Sequence, residues 1–310
     1  MALIQRVAVI GAGLIGRSWA IVFAGGGCDV ALYDAGEGVA EQARALAIAG
    51  LGELAMHGLV QDAEAASARL RIATSLADAL DRAIFVQENT SETVEAKQKI
   101  FADLDRLAAP DAILASSTST IVPSRFTEDL KGRHRCLVAH PVNPPHLLPL
   151  VELVAAPWTS PETVAKAKAV YEAVGQVPIV VKREIEGFIL NRLQSVLLSE
   201  AFRLVEGDYV TPQDLDKTVK HGLGLRWSFM GPFETIELNA PGGIPDYCRR
   251  YGASLAALSE AEPEIYRPPY VDLILMQWER ATPDRIAARM RWRDRRLAAL
   301  KAHHKSQPTG

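Results

Sequence analysis

The chain has no long apolar run, little cysteine and no surplus of basic charge. A membrane-spanning helix needs roughly 18 consecutive apolar residues, and no stretch of this sequence comes near that length. The formal net charge is −3, which offers no basic surface to nucleic acid. Residues 1–13 run straight into a strand pattern without a basic leader or a cleavage site. We therefore expect a cytoplasmic protein that binds neither membranes nor nucleic acid.

Metal-binding and redox motifs are also missing. The three cysteines, Cys28, Cys136 and Cys248, are too far apart for a CxxC motif or a pair of metal ligands. His303 and His304 lie in a polar tail without nearby carboxylate or thiolate partners. We expect reduced, structural thiols and no metal site.

Short apolar runs alternate with helical patterns over the first 186 residues. This alternation predicts an α/β domain with a mostly parallel sheet that is covered on both faces. Helices are predicted at 14–25 and within the Ala-rich stretch 37–70. The strand candidates are 6–10, 29–33, 83–87, 112–116, 135–139, 150–154 and 178–182.

The pattern changes near Gly187, where strands stop and helices continue to the end of the chain. We therefore predict two domains, 1–186 and an all-helical C-terminal domain over 187–310. The predicted helices of the second domain are 187–206, 212–221, 231–239, 246–258, 270–279 and 284–302.

A glycine motif, Gly11-Ala12-Gly13-Leu14-Ile15-Gly16, lies between the first strand and the first helix. Gly11 permits a tight turn, Gly13 lets the backbone approach a diphosphate, and Gly16 lets the helix pack on the strand. The motif alone is common, but its place in a βαβ unit predicts a Rossmann-type dinucleotide-binding domain.

Asp34 ends the second strand, eighteen residues after Gly16. A carboxylate at this position accepts hydrogen bonds from the adenine ribose and repels a 2′-phosphate. The next residues, AGEGVA, contain no Arg or Lys to hold such a phosphate. The sequence predicts NAD rather than NADP, with a simple turn aspartate as the alternative interpretation.

A second group of polar residues follows the later strands of the first domain. His140 precedes a proline at the expected carboxyl edge of a strand, where open α/β sheets bind ligands. Glu152 lies inside the apolar run LVELV and needs a partner there. A nearby imidazole would supply one and would become a better base. From the spacing alone, the favoured interpretation is that His140 and Glu152 form a purely structural pair, and a catalytic role stays open.

Several stretches along the chain are distinctive when taken together: GLIGRSWA, SSTS, AHPVNPP, PLVELV, GFILNRLQ, SEAFRLVE, GLGLRWSFMGPFET and WRDRRL. With these stretches, the sequence resembles the L-3-hydroxyacyl-CoA dehydrogenase superfamily over nearly the whole chain. The resemblance implies hydride transfer from C3 of a hydroxy acid to NAD.

The resemblance implies a role for each residue of the site. His140 would act as the general base and Glu152 would orient it. Ser119 and Asn191 would hydrogen-bond the reacting oxygen. The implied NAD contacts are Gly11, Gly13, Leu14, Ile15, Gly16, Asp34, Glu92, Lys97, Ser119 and Asn143.

Without the resemblance, three of these residues have plainer interpretations. Asn191 would be an N-terminal helix residue that bonds its own backbone. Glu92 and Lys97 would lie on a charged, solvated helix face.

Charge argues against one class of substrate. A CoA substrate carries phosphates that require Lys or Arg, yet the chain has no lysine before Lys97 and only Arg44 and Arg69 between 35 and 70. The resemblance then implies a small carboxylate such as L-gulonate, oxidised to 3-dehydro-L-gulonate, and we expect Arg226 to hold the carboxylate. Arg226 could instead form a helix-end ion pair. Hydroxyacyl-CoA and carnitine remain alternative substrates.

Two further alternatives are open. A decarboxylating β-hydroxyacid dehydrogenase would need a lysine where this chain has GFILNR, and the nearest is Lys182. A structural NAD-binding protein would not need the site residues together. The resemblance also implies a homodimer through the second domain, where apolar clusters occur at 227–230 and 273–276.

Overall fold

In a computed structural model, the chain forms two compact units, Met1–Leu198 and Ser199–Gly310. The predicted domain limits at 186 and 187 stay a prediction. The residues that the structure describes are 6–259, 268, 270–276, 282, 284–286, 288–292 and 303.

The described part of the first unit contains an eight-stranded sheet in the order β3-β2-β1-β4-β5-β6-β7-β8. Neighbouring strands are parallel, except that β6 and β7 are antiparallel. The strands are β1 (Arg6–Ile10), β2 (Asp29–Tyr33), β3 (Leu70–Ile72), β4 (Phe85–Glu88), β5 (Ile113–Ser116), β6 (Cys136–Pro141), β7 (Leu150–Ala155) and β8 (Val177–Val181).

Two apolar cores cover the sheet, one on each face. Val7 and Val9 of β1 join one core, and Ala8 and Ile10 join the other, because successive side chains of a strand point to opposite faces. Burial on both faces explains why residues 7–10 of this strand, VAVI, are a continuous apolar run. The predicted mostly parallel α/β sheet is confirmed.

The helices of the first unit lie over these two cores. Those that contribute to the first core include α1, α2, α3 and α7, and those that contribute to the second include α4, α5 and α6. Their bounds are α1 (Leu14–Gly25), α2 (Val39–Met56), α3 (Ala63–Ala68), α4 (Leu76–Leu80), α5 (Val94–Leu107), α6 (Ser124–Thr127) and α7 (Pro161–Ala173).

The structure differs from the sequence pattern at 37–70. The helical stretch is interrupted after His57, the C-cap residue of α2, and it ends at β3, a three-residue strand that the pattern did not predict. The strand pairs with β2 and extends the sheet by one position.

The described part beyond β8 is helical, as predicted. A π-helical turn at Val219–Gly224 follows α9, where a continuous α-helix to 221 was expected. The predicted helices 270–279 and 284–302 fall partly outside the described residues. The bounds are α8 (Leu190–Glu206), α9 (Pro212–Thr218), α10 (Leu225–Trp227), α11 (Pro232–Glu237), α12 (Gly243–Ser259) and α13 (Tyr270–Leu275).

Helices of the second unit pack around small apolar clusters, one of which contains Met230, Leu238 and Ile286. Among the residues described, no helix has the length and apolarity needed to traverse a bilayer.

The three cysteines are free and buried. Burial raises the pKa of the Cys28 thiol to about 11 and that of Cys136 to about 12. Such thiols carry almost no thiolate at neutral pH and are inert, which agrees with the predicted structural role.

Candidate active site

The glycine turn lies where the strand order reverses, at the carboxyl ends of β1 and β4. Gly11 has φ of +86°, and a Cβ atom there would come within 2.7 Å of the Asn89 carbonyl oxygen. A Cβ atom on Gly16 would collide with the carbonyl oxygen of Gly11. A larger residue at position 11 would therefore force the turn away from β4. A larger residue at position 16 would force α1 away from β1.

Gly13 borders open space, since nothing lies within 4 Å of the position its Cβ would take. Gly13 is also the N-cap of α1, which has no side-chain capping bond and no acidic residue in its first turn. The helix therefore presents N–H groups and a partial positive charge to this space. A diphosphate fits such a cradle, and a side chain at residue 13 would fill it.

Asp34 lies half-buried beside the glycine turn. Its Oδ2 atom accepts a hydrogen bond from Ala12 N at 2.7 Å, and Oδ1 accepts one from Gly36 N at 2.8 Å. These bonds fix the carboxylate at the carboxyl end of β2, in the position expected of a group that binds the adenine ribose.

A buried polar network supports the turn from below. The Ser117 hydroxyl accepts hydrogen bonds from Trp19 Nε1 at 2.9 Å and Gln87 Nε2 at 2.8 Å, and it donates to Asn89 Oδ1 at 2.7 Å. Asn89 Nδ2 donates to the Ile10 carbonyl at 3.2 Å. The network links β1, β4, β5 and α1, so the residues around Gly11 are held rigidly.

His140 and Glu152 form a buried pair. They face each other directly across the antiparallel strands β6 and β7, and His140 Nδ1 lies 2.8 Å from Glu152 Oε2. His140 is 5% exposed and Glu152 is 0% exposed. The partner that Glu152 needed is therefore the imidazole that the sequence suggested.

The second oxygen of Glu152 is bound by backbone at the start of α8. Oε1 accepts hydrogen bonds from Ile189 N at 2.8 Å and Leu190 N at 3.0 Å. Just before them, Phe188 has φ of +49°, which is costly for an aromatic residue. Its buried ring lies 5.4 Å from the His140 ring, measured between centroids.

These contacts decide the ionisation of Glu152. Burial raises the pKa of its carboxyl, but the hydrogen bonds from His140, Leu190 and Ile189 outweigh burial, so the pKa lies below its ordinary value. The carboxylate is therefore ionised at neutral pH and holds the proton of His140 on Nδ1.

Ser119 lies on an exposed loop that follows β5. Its carbonyl oxygen accepts a hydrogen bond from Asn191 Nδ2 at 2.8 Å, and its N–H donates to Glu92 Oε1 at 2.7 Å. The Asn191 side chain therefore bonds the backbone of Ser119, a residue on a different element. Asn143 is exposed and follows β6.

Lys97 is buried, so the interpretation as a solvated helix face is wrong for this residue. Its Nζ atom lies 2.8 and 3.0 Å from the two oxygens of Glu88, and it donates to the Thr90 carbonyl at 3.1 Å. Glu88 is 0% exposed and also accepts from the Ser116 hydroxyl at 2.6 Å. Glu92 precedes α5, and its side chain is 43% exposed.

The first unit thus brings most of the predicted site residues to the carboxyl edge of one sheet. Arg226 lies in α10 of the second unit, and its role stays a prediction. Sequence reasoning missed Glu88, Asn89 and Phe188. A signal existed for Glu88, which ends a buried strand just as Glu152 lies within one.

A glycine turn at the switch point of a parallel sheet, followed by a helical second half, defines a Rossmann-type dinucleotide-binding protein. The family model of the 3-hydroxyacyl-CoA dehydrogenase NAD-binding domain matches residues 6–185, and that of the 3-hydroxyacyl-CoA dehydrogenase C-terminal domain matches 187–292. The chain belongs to the 3-hydroxyacyl-CoA dehydrogenase family and is an NAD-dependent dehydrogenase of that family.

Relatives cover nearly the whole chain. Lambda-crystallin of Oryctolagus cuniculus is 40% identical over 97% of this chain and 98% of its own. An L-carnitine dehydrogenase of Pseudomonas putida is 35% identical over 96% and 93%. Among solved structures, an NAD+-dependent dismutase, FHMPC 5-dehydrogenase, is 28% identical, with a TM-score of 0.76 over 99% of this chain and all of that chain.

NAD is the cofactor, as the sequence predicted. The open cradle at Gly13, the bare N-terminus of α1 and the carboxylate of Asp34 fit its diphosphate and ribose.

Proposed function

We propose that the chain oxidises the 3-hydroxyl group of a small L-3-hydroxy acid, with His140 as the general base and Glu152 as its orienting partner. The observation that carries the proposal is the buried contact of 2.8 Å between His140 Nδ1 and Glu152 Oε2. A base held in this way has one ring nitrogen fixed and the other left for proton transfer.

This contact determines which ring nitrogen of His140 carries the proton. Because Glu152 is ionised and binds Nδ1, that nitrogen carries the proton and Nε2 carries the lone pair. Nε2 then takes the proton from the substrate hydroxyl, and the imidazolium is stabilised by the carboxylate. When bound, NAD+ would accept the hydride from C3 of the substrate.

Two side chains are assigned to the reacting oxygen. The Ser119 hydroxyl and Asn191 hydrogen-bond the substrate oxygen, and Asn143 helps to place His140 and the nicotinamide. The bond of 2.8 Å between Asn191 Nδ2 and the Ser119 carbonyl supports a shared position for the first two. Glu92 and Lys97 complete the proposed set around the cofactor.

The substrate is a small carboxylate, with L-gulonate as the best candidate. The absence of lysine before Lys97, with only Arg44 and Arg69 between residues 35 and 70, argues against a CoA ester. Arg226, half-buried on α10, is assigned to the carboxylate because guanidinium groups bind carboxylates in a bidentate manner.

The test is NADH formation by the purified protein with L-gulonate, L-carnitine and L-3-hydroxybutyryl-CoA as parallel substrates. We expect the highest kcat/KM for L-gulonate. Arg226→Met should raise the KM for L-gulonate about tenfold or more, because it removes one charge-assisted contact with the carboxylate. A preference for the CoA ester, or an unchanged KM, contradicts the substrate assignment. No turnover of any hydroxy acid would favour a structural NAD-binding protein.

We also propose a homodimer that buries an apolar stripe of α8. Leu193, Val196 and Leu197 lie on one helix face and are 63%, 72% and 38% exposed. Val196→Glu should shift the mass measured by light scattering towards the monomer. Met56→Glu, which changes an apolar residue of α2 that is 81% exposed, should leave the mass unchanged. A wild-type monomer contradicts the proposal.

A further inference from the structure

Glu92 binds three donors of the Ser119 loop through a single oxygen. Its Oε1 atom accepts hydrogen bonds from Ser119 N at 2.7 Å, Thr118 Oγ1 at 2.6 Å and Thr120 N at 3.3 Å. The loop follows β5, whereas Glu92 belongs to the segment between β4 and α5. The carboxylate therefore joins two segments that are about 27 residues apart in the chain.

The opposite side of the loop is also fixed. The Ser119 carbonyl accepts the bond from Asn191 Nδ2 at 2.8 Å. Thr118 Oγ1, which donates to Glu92, accepts a bond from Ile121 N at 3.1 Å. These bonds use the backbone of Ser119 on both sides and leave its hydroxyl out, so they set the position of the hydroxyl without occupying it.

The buried side chain of Lys97 lies near the other oxygen of Glu92. Lys97 Nζ is 3.9 Å from Glu92 Oε2 and is bound by Glu88 at 2.8 Å. At this longer distance the charge assists Glu92 less than the three hydrogen bonds do. Lys97 in turn is fixed by Glu88 and Thr90, so the support for Glu92 is rigid.

We propose that Glu92 is a positioning residue for Ser119, which places the serine hydroxyl at the reacting oxygen of the hydroxy acid. The inference rests on the proposed function, since that function gives Ser119 its role. Ser119 and Thr120 are exposed, and an exposed loop without such bonds samples many conformations. A displacement of about 1 Å of a group that contacts the reacting atoms can cost about a hundredfold in rate.

Two roles of Glu92, contact with NAD and positioning of Ser119, have different experimental signatures. A residue that only contacts NAD affects cofactor binding. A residue that positions Ser119 affects turnover at saturating cofactor and the exchange of the loop amides. Cofactor affinity can therefore change without any change in turnover at saturating cofactor or in amide exchange, and the reverse also holds.

The experiment compares Glu92→Ala, Glu92→Gln and the control Glu95→Ala, which alters an exposed carboxylate of the first turn of α5. Glu92→Ala should lower kcat at saturating NAD+ about tenfold or more, an effect that weaker NADH binding alone cannot produce because the cofactor is saturating. Glu92→Gln keeps an oxygen acceptor and should recover most of kcat. Glu95→Ala should resemble the wild type.

Hydrogen exchange supplies the second readout. In Glu92→Ala, the amides of Ser119 and Thr120 should exchange about tenfold faster or more, with no such change in Glu95→Ala. Weaker NADH binding with unchanged kcat and unchanged exchange would assign Glu92 to the cofactor and overturn the inference. If the wild type turns over no hydroxy acid, the proposed function fails, while exchange and NADH binding still report whether Glu92 holds the loop.

Discussion

His140 and Glu152 are direct neighbours across the antiparallel pair β6–β7, with His140 Nδ1 2.8 Å from Glu152 Oε2. Directly opposite residues of an antiparallel pair have their side chains on the same face and in contact. The register of two strands therefore sets the geometry of the proposed base and its partner. The start of α8 adds two N–H groups to the same carboxylate.

His140→Ala should lower kcat at least about a hundredfold, the usual contribution of a general base. Binding of NADH should persist, because the glycine turn and Asp34 follow two other strands, β1 and β2. Steady-state kinetics and NADH fluorescence measure the two effects. Near wild-type turnover would remove His140 from the mechanism.

Glu152→Gln tests the role of the partner carboxylate. It should lower kcat at saturating NAD+ and substrate about tenfold or more, because a neutral amide stabilises the imidazolium formed by proton transfer less well than a carboxylate does. The control Glu162→Gln alters an exposed carboxylate at the start of α7 and should leave kcat unchanged. An unchanged kcat in Glu152→Gln would show that the pair is only structural.

The elements around the glycine turn were predictable because their signals are local. The strands 6–10 and 29–33 and the helix 14–25 match the structure residue for residue, since short apolar runs, helical period and glycine boundaries are all recognised within a short window of sequence. β3 was missed because a strand of three residues after an Ala-rich helix has no period of its own.

The burial of Lys97 was not predictable from its neighbours. The surrounding sequence, VEAKQKI, is polar and typical of a solvated helix. Its partner Glu88 lies on a different element, and only the tertiary fold brings the two within 2.8 Å. The same holds for Asn191, whose bond to the Ser119 carbonyl joins residues 72 positions apart.

Glu152 should make stability depend on acid pH. The pKa of Glu152 is lowered in the folded state from its ordinary 4.5. Its contribution is therefore fully present above pH 4.5 and is lost as pH falls through the folded-state pKa. The difference in urea midpoint between wild type and Glu152→Gln should shrink below pH 4.5. A difference that stays constant as the pH falls further would contradict the lowered pKa.

Asp34 should set the choice of NAD over NADP. Asp34→Ser combined with Ala35→Arg removes the carboxylate beside Ala12 N and adds a cation for the 2′-phosphate. The ratio of kcat/KM for NAD to that for NADP should fall about tenfold or more. Asp29→Ser, at the exposed start of the same strand, is the matched control and should keep the ratio. A wild type that prefers NADP refutes this role of Asp34.

The buried pair of Lys97 and Glu88 should be far more important for stability than a surface pair. Lys97→Met leaves the Glu88 carboxylate buried at 0% exposure without its cation, and we expect a loss of about 3 kcal/mol or more in the free energy of unfolding.

The double variant Glu88→Gln, Lys97→Met removes both charges and should recover part of that loss, because the cost comes from the unpaired charge rather than from the missing attraction. Lys168→Met breaks an exposed pair with Glu172 on α7 and should cost less than about 0.5 kcal/mol. Urea unfolding followed by circular dichroism measures all three variants. If Lys97→Met costs no more than Lys168→Met, the buried pair does not hold this edge of the sheet.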